Sequence, residues 1–327
     1  MEALFDTLAD KAINSRSITE NDALELYRQG QKDVFGLLAR ASRIREHFKG
    51  NTVSLCSIIN AKSGLCPENC RFCAQSAHHR TDTPVYPLVS AEEIAEKGRI
   101  AMESGVHMFS IVTSGTRIET DDEWKTIYRA IELLNEMGIK PCASLGMLDE
   151  NTARDLKSAG LFRYHHNLET SRSFFDNICS THEYREDTDT VRIAREAGLT
   201  VCSGGIIGLG ETMEHRIEMA MTLRELDVDS VPINILNAIP GTPLENIRPL
   251  TPIEVLLTIA LYRFILPDKD VKLCGGKEKN LRQLLSLAVV AGCNSLLTGN
   301  YLTTLGRDTS ADLEMIRDLG MEPRFQA

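Results

Sequence analysis

No stretch of this chain stays apolar long enough to cross a bilayer. Its two most hydrophobic runs, VLLTIALYRFIL and LLSLAVVAGC, fall well short of the ~20 residues a spanning helix needs. The opening MEALFDTLADKA is acidic and amphipathic and lacks the basic-then-apolar order of a secretory leader, so the expected location is cytoplasmic. Positive charge is also scarce: 36 Lys and Arg face 46 Asp and Glu, a net charge of −10. That balance argues against a broad phosphate-binding surface, so neither nucleic acid nor a membrane is an expected partner. The chain has no Pro/Gly/Ser-rich break, no charge run and no internal repeat to divide its 327 residues. Hydrophobic residues at 43% and charged residues at 25% are ordinary for a globular chain, which sets disorder aside.

Cysteine is not scarce. Nine are present, an odd number, and a reducing compartment keeps such thiols free. Metal binding or redox chemistry is therefore the expected use for some of them. Residues 1–50 read as helices: Thr19 with Asp22 has capping-box spacing, and DVFGLLARASRIREHF has helical apolar spacing. From residue 53 short apolar runs alternate with amphipathic helices. The strand candidates are VSLCSIIN, VHMFSIVTS, IKPCASLG, FRYHHNLE, LTVCSGGIIGLG, SVPINILN, DVKLCGG and NSLLTGNYL. Helix starts of the Ser90, Asp121, Asp149 or Thr251 type lie between them. Eight β-then-α units predict an α/β fold, a (β/α)8 TIM-type barrel, with the N-terminal helices packed outside it. The expectation is one domain over 1–327, with a helical extension at 1–50 and the barrel at 53–327.

One loop concentrates thiols. In SGLCPENCRFCAQS, Cys66, Cys70 and Cys73 follow the first strand candidate at C-x3-C-x2-C spacing, on the rim where barrel active sites lie. Three thiolates suit a soft metal centre, zinc or iron–sulfur. A zinc ribbon would want a fourth ligand, for which His78 and His79 are the local candidates. A four-iron cube held by three cysteines leaves one iron open for something else.

C-x3-C-x-aromatic-C after the first barrel strand resembles the signature of radical S-adenosylmethionine (SAM) enzymes. The resemblance implies that Cys66, Cys70 and Cys73 hold a 4Fe–4S cluster whose open iron binds SAM, with Phe72 near the adenine. Further stretches are similar to biotin synthases: YHHNLETS (164–171), VCSGGIIGLGET (201–212), VPINILNAIPGTPLE (231–245), CASLGML (142–148) and CAQS after the third cysteine. They run in the right order and cover nearly the whole chain. His165, Asn167 and Glu169 alternate and so share one strand face, where buried polar groups would need partners such as a ligand. By resemblance, Asn167 contacts SAM ribose and substrate, and Glu169, where the family usually has Asp, holds the ribose hydroxyls. Gly204, Ile206, Gly208 and Glu211 match the stretch that lines the adenine, and Asn234 matches a residue that bonds the ureido ring of dethiobiotin.

The resemblance also implies an auxiliary iron–sulfur cluster that donates sulfur, held in the best-known form as 2Fe–2S by three cysteines and an arginine. Cys142 and Cys202 match two of those cysteines. The third position reads Ser110, and the arginine position reads Lys272. Cys56 on the first strand and Cys274, two residues after Lys272, are compensating thiols. Cys56, Cys142, Cys202 and Cys274 lie on strands one, three, five and seven, which contribute to a common interior layer in a barrel. The expectation is one auxiliary cluster at that level, of 4Fe type in preference to 2Fe–2S. Cys179 and Cys293 are read as packing or surface thiols.

The implied reaction is sulfur insertion into dethiobiotin, started by a SAM-derived radical with an electron from flavodoxin or ferredoxin. Homodimerisation is implied by family habit alone, and no acid–base pair is nominated. Two competing readings are a hydrogenase-maturase-like or amino-acid-rearranging radical SAM enzyme, and a non-catalytic iron–sulfur carrier.

Overall fold

The computed structural model describes residues 2–324. Three helices open the chain: α1 (Glu2–Ser15), α2 (Glu20–Gly30) and α3 (Val34–Lys49). Thr19 and Asp22 form the expected capping box on α2. The strands are β1 (Thr52–Lys62), β2 (Met108–Thr113), β3 (Lys140–Ser144), β4 (Arg163–His165), β5 (Thr200–Cys202), β6 (Gly205–Ile207), β7 (Ser230–Ile235), β8 (Asp270–Leu273), β9 (Ser295–Leu297) and β10 (Glu322–Arg324). Every pairing among these named strands is parallel, and β1 pairs with both β2 and β9, which closes the barrel. β5 and β6 are two halves of one barrel strand, interrupted at Ser203–Gly204. A Cβ on Gly204 would stand 2.1 Å from the Pro232 carbonyl oxygen, so glycine lets β7 approach there. The short β10 pairs with the start of β1 and was not foreseen from sequence.

Between the strands run α4 (Ala91–Glu103), α5 (Asp121–Glu136), α6 (Glu150–Ser158), α7 (Arg172–Phe175), α8 (Tyr184–Glu196), α9 (Met213–Glu225), α10 (Pro252–Ile265), α11 (Lys277–Leu281), α12 (Leu287–Val290) and α13 (Thr309–Asp318). Ser90, Asp149 and Thr251 cap α4, α6 and α10 as expected. The cap of α5 is Thr120, not Asp121: its hydroxyl accepts from the Glu123 amide. The apolar helix α10 is buried all round because α1, α2 and α3 cover its outer side, which accounts for its hydrophobicity without any membrane. No described helix is long and apolar enough to cross one.

Inward-facing residues alternate along each strand, and alternate strands share a level in such a barrel. The strand registers put Cys56, Cys142, Cys202 and Lys272 in one layer. Below it, toward the N-terminal ends of the strands, lie Met108, Arg163, Ser230 and Ser295, then Ser54, Lys140, Thr200 and Asp270. The four thiols expected at one level are therefore displaced by a step. Cys274, two residues beyond Lys272, stands two layers nearer the mouth. It still packs with Cys56, Cys142, Met108 and Leu297 in one buried group.

Candidate functional site

A cavity of about 290 Å³ opens at the C-terminal ends of the strands. Its upper wall carries Cys66, Cys70, Asn167 and Glu169, and its floor reaches Cys56, Lys272 and Cys274. The loop and the deep layer, far apart in sequence, thus face one space.

The loop is shaped by its own backbone. Gly64 and Leu65 both take positive φ, at 79° and 53°. Cys66 donates its amide to the Gln75 carbonyl and accepts from Ala77, and the Cys73 amide bonds the Cys70 carbonyl. The Gln75 side chain ties the base of the loop to Ser63 and to the Gly64 amide. All three cysteines are half-buried. Burial pushes the Cys73 thiol up to about 11, and the Cys179 contact together with burial pushes Cys70 up further. These thiols are costly to ionise without a metal. The His78 ring bonds the Pro67 carbonyl at 2.9 Å and the His79 ring bonds the Cys70 carbonyl at 3.1 Å.

Phe72 packs with Ile206 beside Ile178, Leu209 and Leu244, and both line a side pocket of about 190 Å³ that shares Asn234 with the main cavity. Asn167 donates to Glu169 at 3.5 Å, and burial raises the Glu169 carboxyl to about 8. Glu169 holds φ at +60°, and its carbonyl accepts from the Ile206 amide at 2.8 Å. This left-handed residue locks the end of β4 onto β6, at a cost of ~1–2 kcal/mol for a non-glycine. The Asn234 amide spans the Gly205 carbonyl and the Gly275 amide, which fixes its plane at the cavity wall.

Two expectations change. Glu211 points away from the cavity: its carboxylate accepts from the Gly208 and Leu209 amides and pairs with Arg216 at 2.6 Å, all buried. This carboxylate holds the turn and does not line the main cavity. Gly208, at φ +93°, serves that same turn and lines a separate cavity with Leu236 and Leu250. Ile206 alone of that group, with Phe72, borders the side pocket, while Gly204 serves strand contact.

A polar chain beside the loop went unread in the sequence. Glu68 accepts from Thr116 at 2.6 Å and pairs with His182 at 2.7 Å; His182 reaches Asp187 at 3.4 Å, and Asp187 pairs with His166 at 2.8 Å. Burial opposes charge on His182, but Asp187, Cys179 and Glu68 together lift it to about 11. Cys179 Sγ lies 3.8 Å from Cys70 Sγ and 3.3 Å from His182 Nδ1. It is thus a neighbour of the loop, not an isolated packing thiol. The Cys179-x-x-His182 spacing was the available signal. Cys293 is buried packing, as expected.

In the deep layer, burial raises the thiols of Cys56, Cys142 and Cys274. Lys272 is 1% exposed and Arg163 6% exposed. Burial acts against both charges, yet both stay raised because the thiols face them, Cys202 first. Lys272 Nζ bonds Cys202 Sγ at 3.8 Å, and Arg163 reaches Met108 Sδ at 3.7 Å and Thr200 at 3.3 Å. Neither forms an ion pair with a carboxylate among the described residues. Ser110, at the family's third cysteine position, is buried with its hydroxyl unpartnered.

Comparisons with known proteins agree with this geometry. The Radical SAM superfamily profile matches residues 62–223, and the Biotin and Thiamin Synthesis associated domain matches 232–322. The biotin synthase of Geotalea uraniireducens is 54% identical, over 98% of this chain and 98% of its own. That of Carboxydothermus hydrogenoformans is 48% identical over 96% and 98%. Among solved structures, methylornithine synthase superposes with a TM-score of 0.84 at 23% identity over 97% of both chains. The FeFe-hydrogenase maturase HydG of C. hydrogenoformans gives 0.81 at 16% identity, over 99% of this chain and 80% of its own. These two likenesses establish the barrel fold; the sequence relatives establish the family. The chain belongs to the biotin synthase family of radical SAM enzymes.

Proposed function

We propose that this enzyme inserts sulfur into dethiobiotin to form biotin, with the sulfur drawn from an auxiliary iron–sulfur centre at the deep thiol layer. The observation that carries the reading is the pair of buried cations, Lys272 and Arg163, set among thiols with no carboxylate in ion-pair contact among the described residues, Asp270 acting on Arg163 only from a distance. An unpaired buried charge costs several kcal/mol, so such a pair persists where an anionic group belongs. A cluster held by thiolates is such a group.

Cys66, Cys70 and Cys73 would hold the 4Fe–4S cluster: three thiols on one rigid loop suit a cube with an open corner. When bound, that cluster supplies reductive cleavage of SAM, using an electron from flavodoxin or ferredoxin. The chain's own contribution is placement. Phe72 and Ile206 would take the adenine, Glu169 and Asn167 the ribose. Asn234, with its amide plane fixed, would hold the ureido ring. Cys56, Cys142, Cys202 and Cys274 would ligate the auxiliary centre, with 4Fe favoured because its candidate donors are all thiols. No side chain is needed as acid or base. Homodimerisation, by family habit, and a cytoplasmic location are part of the same proposal.

The maturase-like reading shares the barrel and the loop but gives no use to four thiols and two cations beneath the cavity. A carrier would need no pocket for a base and ribose. The test is anaerobic turnover of dethiobiotin by reconstituted protein, with Mössbauer spectra and iron and sulfide counts. Biotin is expected. A variant with Cys66→Ala, Cys70→Ala and Cys73→Ala is expected to keep a 4Fe-type signal. SAM cleavage without biotin would overturn the reading, and a 2Fe-only signal in the variant would overturn the cluster type.

A further inference from the structure

A sulfur donor at the thiol layer is emptied by its own chemistry and must be refilled. Cosubstrate and substrate enter at the mouth, above that layer. The opposite end of the barrel is built unlike an ordinary barrel floor, which branched aliphatic side chains fill. Of the eight inward positions below the thiols, Met108 alone is apolar, and the others include Arg163, Ser230, Ser295 and Ser54.

The hydroxyls of Ser54, Ser230 and Ser295 have no hydrogen-bond partner among the described residues, although these serines are 4%, 0% and 1% exposed. Both ring nitrogens of His107, at the start of β2, are likewise buried and unpartnered. Buried polar groups left this way are met by water or an ion. The surrounding charge favours an anion. Burial, then Lys140, Lys272, Arg163 and Arg324, pushes His107 down to about 4. The acid on this floor, Asp270, is already matched by Lys49 at 2.9 Å. These cations gather at one end of a chain whose net charge is −10.

The Phe162 ring bridges the floor and an outer groove. Phe162 packs against the group containing Cys56, Met108 and Cys142, and it also lines, with Lys140, a groove of about 440 Å³ outside. The Lys140 ammonium sits 4.8 Å from the centre of that ring and the Arg163 guanidinium 5.3 Å. Cations therefore stand on the path from groove to thiols.

We propose that the N-terminal end of the barrel is a second entrance and binding site for a small sulfur anion, hydrosulfide, which refills the thiol layer from below past Phe162. The proposal rests on the sulfur-donor reading above. It concerns binding and passage, with no bond made or broken on the way. Hydrosulfide fits because it is small, carries one negative charge and accepts hydrogen bonds from a guanidinium and from hydroxyls. Arg163, Ser230 and Ser295 would hold it directly beneath Cys56, Cys142 and Cys202.

The experiment takes the reconstituted holoenzyme through one turnover, then adds isotopically labelled sulfide with fresh SAM and dethiobiotin, and follows label in biotin over time. Phe162→Ala is expected to leave the first turnover unchanged and to speed label uptake several-fold. Arg163→Gln is expected to slow uptake about tenfold, as loss of a steering charge does. Where Phe162→Ala does not fold, Phe162→Leu keeps the apolar fill and is expected to act in the same direction. Equal uptake by wild type and the Phe162 variant overturns the port. Wild-type biotin that never carries label, from a protein whose auxiliary centre is present, overturns sulfide as the source. Absence of any auxiliary iron–sulfur signal overturns the donor reading itself.

Discussion

Around the cysteine loop, ionised groups come with partners; around the deep thiol layer they do not. At the mouth, Glu68, His182, Asp187 and His166 form a continuous chain of pairs, and Glu211 is saturated by two amides and Arg216. Two layers down, Lys272 and Arg163 face thiols, and several hydroxyls face nothing. The first region is nearly complete as protein, with His165 Nε2 and one Asp187 oxygen left without a hydrogen bond. The second is half of an interaction whose other half is an anionic centre. Buried polar groups are almost always satisfied, so where they are left open together, the opening is itself information about a ligand.

The sharpest break of that comparison is functional. Cys66→Ala, Cys70→Ala or Cys73→Ala is expected to reduce 5′-deoxyadenosine formation from SAM to background, and biotin with it. Cys142→Ala or Cys202→Ala is expected to spare 5′-deoxyadenosine formation while biotin falls to background. Quantifying both products for each variant separates the regions. If a deep-layer variant makes biotin normally, the layer is packing and the comparison collapses.

A second pair of variants tests stability with opposite signs. Glu211→Ala strands Arg216, 5% exposed, as a buried charge without its partner. A loss of about 3 kcal/mol is expected in denaturant melts of the cluster-free protein. Lys272→Met removes a buried ammonium that no carboxylate meets. In the same cluster-free protein a gain of about 2 kcal/mol is expected, together with poorer retention of auxiliary iron. Destabilisation by Lys272→Met would mean that the thiols alone satisfy the lysine and no anion is owed.

What sequence could reveal follows the same division. The loop was legible because its three thiols lie within eight residues and the chain folds them locally. The barrel was legible because each β-then-α unit announces itself by apolar period and cap. The deep layer was legible only as a list of odd-numbered strands. Its level depends on register, and register assigned Lys272, not Cys274, to the layer of Cys56. Cys179 and His182 were missed because their meaning lies in a contact across more than a hundred positions, to Cys70 and Glu68. Arg163 looked like any strand residue; its value comes from the burial that β3, β4 and β5 jointly impose. Glu211 was read from a motif, which records which residues recur and not which way they point.

The smallest expected effect concerns the residue where the two regions meet. Glu169 lines the cavity between loop and layer, and burial, then Asp187, lifts its carboxyl to about 8. A carboxyl whose folded pKa is raised binds its proton more tightly folded than unfolded. Its contribution to stability is therefore full below the unfolded value near 4.5 and is lost as pH climbs toward about 8. Glu169→Gln keeps the shape and removes the titration. The difference in melting temperature between variant and wild type, both cluster-free, is expected to widen in the variant's favour across that window and to level off above it. A flat difference would mean that Glu169 ionises freely in the folded protein. Its carboxylate would then belong with the satisfied charges of the mouth, and the boundary between the two regions would lie one residue deeper, at the floor of the cavity.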